Sequence, residues 1–363
     1  MARATSGKYL AALAVVALTG WGTGCSAPPA PDPAPEGLSQ QVCFGPEPAQ
    51  WAAQAVATTT SQGLTFGVHA VAGEVVFGQF HSSAGRGVGA LDPRSGKLTT
   101  IGDYAPGVSG LGAMAAESPW IVWEQLNSKT NLSDWSVHAF NQDTGDRLVV
   151  ATSAGPDGGY VAGQQPLPAL AHGIVAWAQP VRGSAGTVES ELKSFDLAAR
   201  GVTTLDTGRL SSPVFAGPYL LWAKVDSAMS YTLHAVDAKT LRSVELPEPL
   251  RHPASVAYLS GSPDYLAWSS QDLSRLDVWH FGTQQRKSFT VADRHHAFQF
   301  LHLAGGFLLW YGGTASSVLD LSTGAAFDVA GTVTGSADWI VTAQQQRVAR
   351  IATPSAPRLH CPP

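Results

Sequence analysis

Charged residues are scarce in this sequence of 363 residues, at 13% of the chain, and cysteine and methionine occur only three times each. The 22 Lys and Arg residues are outnumbered by 27 Asp and Glu residues, which gives a net charge of −5. Proteins that bind nucleic acid usually carry a basic patch or stripe. This charge balance therefore argues against nucleic acid as a partner.

Sequence signatures of common catalytic and metal sites are also missing. GVSGLG, at residues 107–112, does not have the spacing of a nucleophile elbow, and SGKL around Lys97 does not have that of a P-loop. NQDTGD around Asp143 resembles the start of a calcium loop but has no closing Glu at the twelfth position. No Cys or His pair has the spacing of a structural zinc site. The motifs therefore predict no catalytic residue, no metal and no cofactor.

The residues that are plentiful indicate short strands joined by tight turns. The chain contains 38 Gly and 24 Pro residues and is rich in Val and Thr, a composition that suits strands better than helices. A chain of this length is too long for one simple core, so we expect several domains or repeated units.

A repeated apolar triplet identifies those units. Its third position carries Trp in five of seven copies, and a turn rich in Gly, Pro or Asp precedes each copy. We interpret the Trp as a packing residue between neighbouring sheets; a ladder of aromatic ligand-binding residues is the alternative. The copies begin at Val75, Ile121, Val175, Leu220, Leu266, Leu308 and Ile340, and the third positions are Phe77, Trp123, Trp177, Trp222, Trp268, Trp310 and Thr342.

A second signature follows each triplet, and together they define a four-stranded unit. Segments such as VGALDPRSG and LHAVDAKT combine alternating apolar residues with an Asp turn, and short runs such as KLTTI, RLVV, GVTTL and RSVEL follow as outer strands. His138 and His234 fall at matching places in two third strands, which favours a role on the sheet surface over a metal pair. Four antiparallel strands in about 45 residues are typical of a propeller blade. The sequence therefore predicts an all-β, seven-bladed β-propeller over residues 43–363.

The triplets and the D-x-x-T-G hairpins resemble those of TolB-type and quinoprotein-like β-propellers. The resemblance covers nearly the whole chain after the N-terminal segment, and it implies the fold. Propellers carry many unrelated functions, so the resemblance implies no particular activity.

The N-terminal segment has the features of an export signal. Arg3 and Lys8 precede the apolar run YLAALAVVAL, and residues 1–24 are predicted to be a signal peptide. TGWGTGC resembles the lipobox of bacterial lipoproteins, which implies lipidation of Cys25; simple secretion is the alternative. Residues 25–42 form a Pro-rich linker after that cysteine. We therefore expect a protein anchored by lipid to the outer face of the cell membrane, or else secreted.

The two ends of the chain are predicted to meet in the last blade. The seventh repeat ends without a fourth strand, and the segment Ala53–Thr60 reads as a strand without a hairpin partner before it. If this segment completes the seventh blade, Cys43 and Cys361 come close enough to form a disulfide, which export would permit. Two free thiols on loose termini are the alternative.

One group of basic residues is predicted to share the face formed by the blade-to-blade loops. Arg suits carboxylate or phosphate because its planar fork pairs with two oxygens. We expect this patch to bind an anionic group; the alternative is solvated loop charge, paired with acids such as Asp103, Asp157 or Asp272. The patch comprises Arg209, Arg251, His252, Arg294, His295 and His296.

Two classes of function follow from these features. The preferred one is a non-catalytic binding module of the cell envelope whose partner is a protein, a glycan or a small anionic ligand. The alternative is a lyase or hydrolase in which His295 or His296 acts as general base beside Arg clamps.

Overall fold

The computed structural model describes residues 39–60, 63–83, 85–104, 108, 110–155, 158–183, 186–311, 315–344 and 346–361. The predicted signal peptide, Cys25 and most of the predicted linker therefore lie outside the described residues. Within the described residues, no helix is long and apolar enough to cross a bilayer.

Most of the described chain forms antiparallel strands, which we number as groups in chain order. Groups 1, 2 and 3 each contain four strands, connected in the order in which they pair. Group 1 is Thr65–Ala72, Val75–Ser82, Gly85–Leu91 and Leu98–Asp103; group 2 is Gly110–Glu117, Trp120–Leu126, Trp135–Asn141 and Arg147–Thr152; group 3 is Ala169–Ala171, Ile174–Arg182, Val188–Asp196 and Gly201–Leu210.

The later groups follow the same plan with two exceptions. Group 4 has three strands and joins group 3 in one sheet through the pairing of Arg209 with Val225. Group 7 takes its fourth strand from the N-terminal segment. Group 4 is Val214–Ala216, Tyr219–Val225 and Tyr231–Asp237; group 5 is Leu259–Gly261, Tyr265–Ser269, Arg275–His280 and Gln285–Thr290; group 6 is Gln299–Ala304, Phe307–Tyr311, Ser316–Asp320 and Ala325–Val329; group 7 is Thr332–Gly335, Trp339–Gln344, Arg347–Ala352 and Val56–Thr59.

The groups are arranged in a closed ring. The first strand of each group contacts the first strand of the next, and the first strand of group 7 contacts that of group 1. Hydrogen bonds join these two ends: Val68 N–H donates to Oγ1 of Thr332, and the hydroxyl of Thr334 donates to the carbonyl of His69. Buried side chains fill the spaces between neighbouring groups, so the core is a series of interfaces and not a single centre. This is the arrangement of a β-propeller.

The N-terminal segment runs along the outer edges of three groups. Gln40–Gln41 pairs in parallel with the last strand of group 5, and Cys43–Gly45 pairs in parallel with the last strand of group 6. After helix α1 (Ala49–Gln54), residues Val56–Thr59 pair antiparallel with Arg347–Arg350. The predicted closure of the last group by the N-terminal strand is confirmed.

The termini are also close enough for the predicted disulfide. The Cα atoms of Cys43 and Cys361 are 5.6 Å apart, within the range that disulfides require, and the structure joins their sulfur atoms. The pair is therefore capable of linking the N-terminal segment to the C-terminal tail.

The tail itself is held by buried contacts. The backbone N–H of Leu359 donates to Asp320, and the guanidinium of Arg358 lies 3.4 Å from the same carboxylate. Asp320 is fully buried, so the tail supplies the partners that a buried carboxylate needs.

The predicted outer strand RSVEL of group 4 is wrong. Only an isolated bridge between Val236 and Ser243 forms there. The short helix α2 (Glu248–Arg251) follows instead, and Leu250 packs with Leu233 of the third strand. Pro247 at the start of this helix lacks the N–H that a continued strand would need, which helps explain why the chain turns into a helix.

The repeated Trp residues occupy one position in five groups, as predicted. Each lies fourth in its second strand, is almost completely buried and faces the preceding group; they are Trp123, Trp177, Trp222, Trp268 and Trp310. His138 and His234 lie directly opposite two of these residues on the third strands and stack on their rings at 5.3 and 5.9 Å. These histidines therefore belong to the packing of the sheets.

The predicted equivalence of Phe77 with the repeated Trp residues is wrong. Val75 is the first residue of its strand, whereas the other copies of the triplet begin at the second residue of theirs. Val75 begins the second strand of group 1 opposite Ala72, as Trp120 begins that of group 2 opposite Glu117. Gly78, and not Phe77, is therefore equivalent to the Trp residues. Phe77 faces group 2 because successive side chains of a strand point to opposite sides. Alignment by apolar character alone could not detect this shift of one residue, which the hairpin determines.

Candidate binding cleft

Arg209 is the residue of the predicted patch that lies in a cleft. The outer strand of group 3 bends at Gly208, whose φ of +135° favours glycine, and continues into pairing with group 4. Arg209 therefore lies between groups 3 and 4, where its strand pairs with the end of the second strand of group 4.

The cleft around Arg209 spans three groups and has a volume of about 360 Å³. We call it the Arg209 cleft. Two of its apolar residues, Val188 and Met229, are more than half exposed, at 53% and 54%. The lining combines apolar side chains with amides and hydroxyls: Gln164, Val188, Glu189, Ser190, Arg209, Leu210, Ser211, Ala223, Val225, Met229, Tyr231, Val256, Ala257 and Gln271.

Met229 is held over the cleft by a tight turn. The carboxylate of Asp226 accepts hydrogen bonds from the N–H groups of Ala228 and Ser230, both at 2.9 Å. Met229 then adopts φ of +63°, a left-handed conformation that costs a non-glycine residue roughly 1–2 kcal/mol. Its sulfur lies 3.4 Å from Nη1 of Arg209. A flexible apolar side chain is thus fixed beside the guanidinium group.

The charges around the cleft leave the Arg209 guanidinium without a carboxylate partner among the described residues. Asp206 on the same strand is engaged elsewhere, since it accepts hydrogen bonds from Trp222 Nε1 at 2.9 Å and from Lys224 Nζ at 2.7 Å. Burial opposes ionisation of Asp206, but these hydrogen bonds outweigh it and lower its pKa. Glu189 also lines the cleft without pairing with Arg209.

Arg251 and His252 lie at the end of helix α2, outside the Arg209 cleft. Arg251 is paired with acids of its own segment, at 2.5 Å from Glu245 and 3.3 Å from Glu248, and its Nε donates to the carbonyl of Leu246. His252 is exposed. The acids that neutralise Arg251 are not those suggested from the sequence; Asp272 bonds to Ser270 and Ser274 of its own loop.

The second half of the patch forms a single 3-10 turn, Arg294–His296. His295 is exposed, and the side chain of Arg294 lies outside the described residues. His296 is held by its neighbours: its Nε2 lies 3.1 Å from Asp328, its ring lies 3.9 Å from Phe44, and its carbonyl accepts the Nε1–H of Trp310. Among the described side chains of the patch, none bonds to or ion-pairs with another.

Two histidines that the sequence analysis passed over lie on the innermost strands. Burial lowers the pKa of both His69 and His302, and electrostatic interaction with His302 adds to the shift at His69; each pKa is about 4. Both therefore remain neutral at pH 7. Their segments, GVHA and FLHLA, belong to first strands of the repeat. A histidine within such an apolar run is the sequence feature that could have drawn attention to them.

A buried carboxylate was also missed. Glu124 follows Trp123 and faces group 3, and neither of its oxygens has a hydrogen-bond partner among the described residues. Burial raises its pKa to about 8. Gly112 makes room for it, because a Cβ at that residue would collide with the carboxylate. Among the described residues, no group of three or more His, Cys, Asp or Glu residues is placed to hold a metal.

Comparison with known proteins shows the fold of this chain but neither a family nor a function. A structure of puromycin hydrolase, an S511A mutant complexed with PGG, has a TM-score of 0.52 and 14% identity, covering 88% of this chain and 56% of that chain. A manganese complex of oligogalacturonate lyase has a TM-score of 0.46 and 11% identity, with coverage of 78% and 75%. TolB from Acinetobacter baumannii has a TM-score of 0.41 and 12% identity, with coverage of 71% and 61%.

Sequence comparison identifies no relative. No family model and no curated protein matches the chain. The sequence pattern, the strand arrangement and the similarity to the puromycin hydrolase structure thus agree on the β-propeller fold, and the function rests on the site.

Proposed function

We propose that this protein is a seven-bladed propeller that binds an amphipathic, anionic molecule of the cell envelope in the Arg209 cleft. The observation that carries the proposal is the guanidinium of Arg209, which has no carboxylate partner among the described residues and lies beside exposed apolar side chains in a cleft shared by three groups. Ligand sites commonly combine an apolar lining with a few polar groups that fix orientation.

The seven blades correspond to the seven strand groups, with groups 3 and 4 as separate blades linked by the Arg209–Val225 pairing. Their first strands contact one another in sequence around the ring, which supports this count. An experimental structure in which groups 3 and 4 share one blade would contradict it.

The protein is proposed to act outside the cytoplasm, tethered through a lipid on Cys25. The support is the lipobox-like segment, the Pro-rich linker and the Cys43–Cys361 pair, which suits an oxidising compartment. Mass spectrometry of the mature N-terminus tests this proposal. We expect a lipidated Cys25, and an unmodified terminus after residue 25 would show simple secretion instead.

The anionic group is proposed to bind to Arg209. In the wider patch, Arg251 is engaged by two glutamates, which lowers the charge it can offer a ligand. The apolar part of the ligand then lies against Val188 and Met229. An anchored protein with such a site is suited to holding an envelope protein, a glycan or a small anionic ligand.

Photo-crosslinking in cells tests this site. A photoreactive residue, p-benzoyl-phenylalanine, is placed at residue 229, and we expect it to trap a molecule whose yield falls when Arg209 is replaced by Ala. The matched control places the same residue at position 149, because Val149 is equally exposed, at 59%, but lies on the outer strand of group 2. Equal trapping at both positions would contradict the proposal.

An enzyme remains the second candidate because His296 and Asp328 form a His–carboxylate pair. In that reading, a lyase or hydrolase uses His295 or His296 as general base. Turnover of an envelope substrate that is lost in His296→Gln, but retained in Arg209→Ala, would favour the enzyme over the binding module.

A further inference from the structure

The second strand of group 7 does not supply the indole ring that the second strands of five other groups supply. The indole in the interface between groups 6 and 7 is that of Trp51, which belongs to helix α1. Thr342 occupies the position equivalent to the five Trp residues, fourth in the second strand of group 7. Gly78 occupies it in group 1, but there the rings of Phe66 and Phe80 fill the space: a Cβ at Gly78 or at its partner Gly89 would lie 3.2 Å from them.

A narrow cleft of about 140 Å³ lies at this place, and we call it the Thr342 cleft. Its inner residues are buried and apolar, and its mouth is formed by exposed residues. Thr342 supplies a hydroxyl within this lining. The inner residues are Trp51, Val318, Phe327, Ile340 and Ile351, and the exposed ones are Glu47, Ala330, Gln344 and Arg347.

The wall that faces away from the ring axis is rigid. Trp51 of helix α1 packs edge-on against Phe327 at 5.0 Å and against Phe307 at 5.4 Å. Its Nε1–H donates to the carbonyl of Pro357 at 3.0 Å, which ties the helix to the C-terminal tail. Group 6 lies on one side of the cleft and group 7 on the other, so that hydrogen-bonded sheets form two of its walls.

We propose that the Thr342 cleft binds the aromatic ring of a small molecule whose polar substituent lies at the mouth. An aromatic ring is the group that fills this position in five other interfaces, and the cleft borders the same position in group 7. Enclosed apolar cavities of about 150 Å³ bind small aromatic molecules. The Thr342 cleft has a similar volume but is open at its mouth, where a polar substituent can lie. The side chains of Glu47 and Arg347 at the mouth suit a polar substituent, whereas the buried walls exclude one.

Titration with indole, followed by calorimetry and by ligand-observed NMR, tests the proposal on the full chain without its signal peptide. For a ligand of this size we expect saturable binding with a Kd on the order of 0.1–1 mM. Thr342→Val is the matched control, since it keeps the volume of the side chain and should bind within about threefold of the wild type.

Thr342→Trp fills the cleft from within the chain and should abolish indole binding while its melting temperature stays the same or rises. Thr342→Phe, a smaller filler, serves if the Trp variant does not fold, and it should weaken binding at least tenfold. If the wild type shows no saturable binding of indole, the proposal is overturned and the Thr342 cleft is only a gap in the packing between groups 6 and 7. Unchanged affinity in a folded filling variant would overturn it too, because indole would then bind elsewhere. Neither result depends on the Arg209 cleft.

Discussion

The two faces of group 6 are packed in different ways. On the side toward group 5, Trp310 is fully buried, lies 5.0 Å from Phe298, and donates its Nε1–H to the carbonyl of His296. On the side toward group 7, the equivalent position is Thr342, and a cleft lies where the ring would be. The first interface is closed by a residue of the repeat. The second is closed at its outer side by Trp51, which belongs to no repeat.

This difference shows that a Trp of the repeat closes the interfaces of groups 2 to 6 with the preceding group, whereas a residue from outside the repeat closes the interface of group 7 with group 6. The last group is assembled from both ends of the chain, and its packing depends on α1, the C-terminal tail and the cysteine pair. The interior interfaces should therefore depend on single Trp residues, and the last interface on the joined termini.

The largest effect is expected from Trp310→Ala. Removing this buried ring should lower the free energy of unfolding by about 3–5 kcal/mol, because it leaves a cavity and an unpaired carbonyl at His296. Thr342→Ala should cost less than about 1 kcal/mol, because its side chain borders a cleft that is already open. Urea denaturation measures both, and similar costs would show that the two interfaces do not differ.

Breaking the cysteine pair should act on the last interface alone. The double variant Cys43→Ser, Cys361→Ser should lose about 2–4 kcal/mol of stability. Amide hydrogen exchange should become faster in α1 and in residues 56–59 but not in group 2. Cys25→Ser is the control and should leave the stability of the folded domain unchanged. Uniformly faster exchange would show that the pair does not act locally.

Glu124 should make stability depend on pH at an interior interface. Burial raises the pKa of Glu124 to about 8, above its usual value, so the folded state holds a proton that the unfolded state releases. Stability should therefore fall as the pH rises from about 5 to 8, by up to about 1.4 kcal/mol per pH unit, and level off above that. Glu124→Gln should remove this slope and be more stable than the wild type at pH 8, but similar at pH 4.

Denaturation at a series of pH values measures this slope. Glu74→Gln, at an exposed carboxylate paired with Arg94, is the control and should keep the slope of the wild type. If the Glu124→Gln variant keeps the slope of the wild type, the pH dependence of stability comes from another titratable residue.

The smallest effect is expected from filling the Thr342 cleft. Thr342→Phe should raise the free energy of unfolding by about 1 kcal/mol, because the new ring is buried without displacing a neighbour. In group 1 the equivalent position is Gly78, and enlarging its side chain should lower the free energy of unfolding. There a Cβ would collide with the carbonyl oxygen of Gly67, so Gly78→Ala should be destabilised. Thermal unfolding of the two variants compares them directly.

The repeat, its strands and the closure of the chain were predictable because each rests on a local pattern. Alternation of apolar residues predicts strands, Asp and Gly turns predict hairpins, and a missing fourth strand predicts its partner at residues 53–60. The predictions failed where the pattern was ambiguous by one residue, as at Phe77 and Gly78, or where a propensity was overruled, as in RSVEL. There, Leu246 and Leu250 are buried in the hydrophobic cluster of group 4 from a turn and a helix, and not from an outer strand.

The candidate site was predictable only in part. Arg209 could be placed near the loops that join the groups from its position at the end of the third repeat. That no described carboxylate pairs with it could not be predicted, since Asp206 is neutralised by Lys224 from the next group. Arg251 shows the converse. Its neighbours in the sequence, Glu245 and Glu248, pair with it once the segment becomes helical.

The sequence by itself determined the class of fold, the repeated Trp position and the partner of the last group, since these follow from side-chain periodicity and turn chemistry within about 45 residues. The tertiary structure alone decided which charges are neutralised, where Glu124 is buried, and that Thr342 faces an open cleft while Gly78 faces two phenyl rings. These properties depend on the distances between residues of different groups, and such distances arise only when the sheets pack against one another.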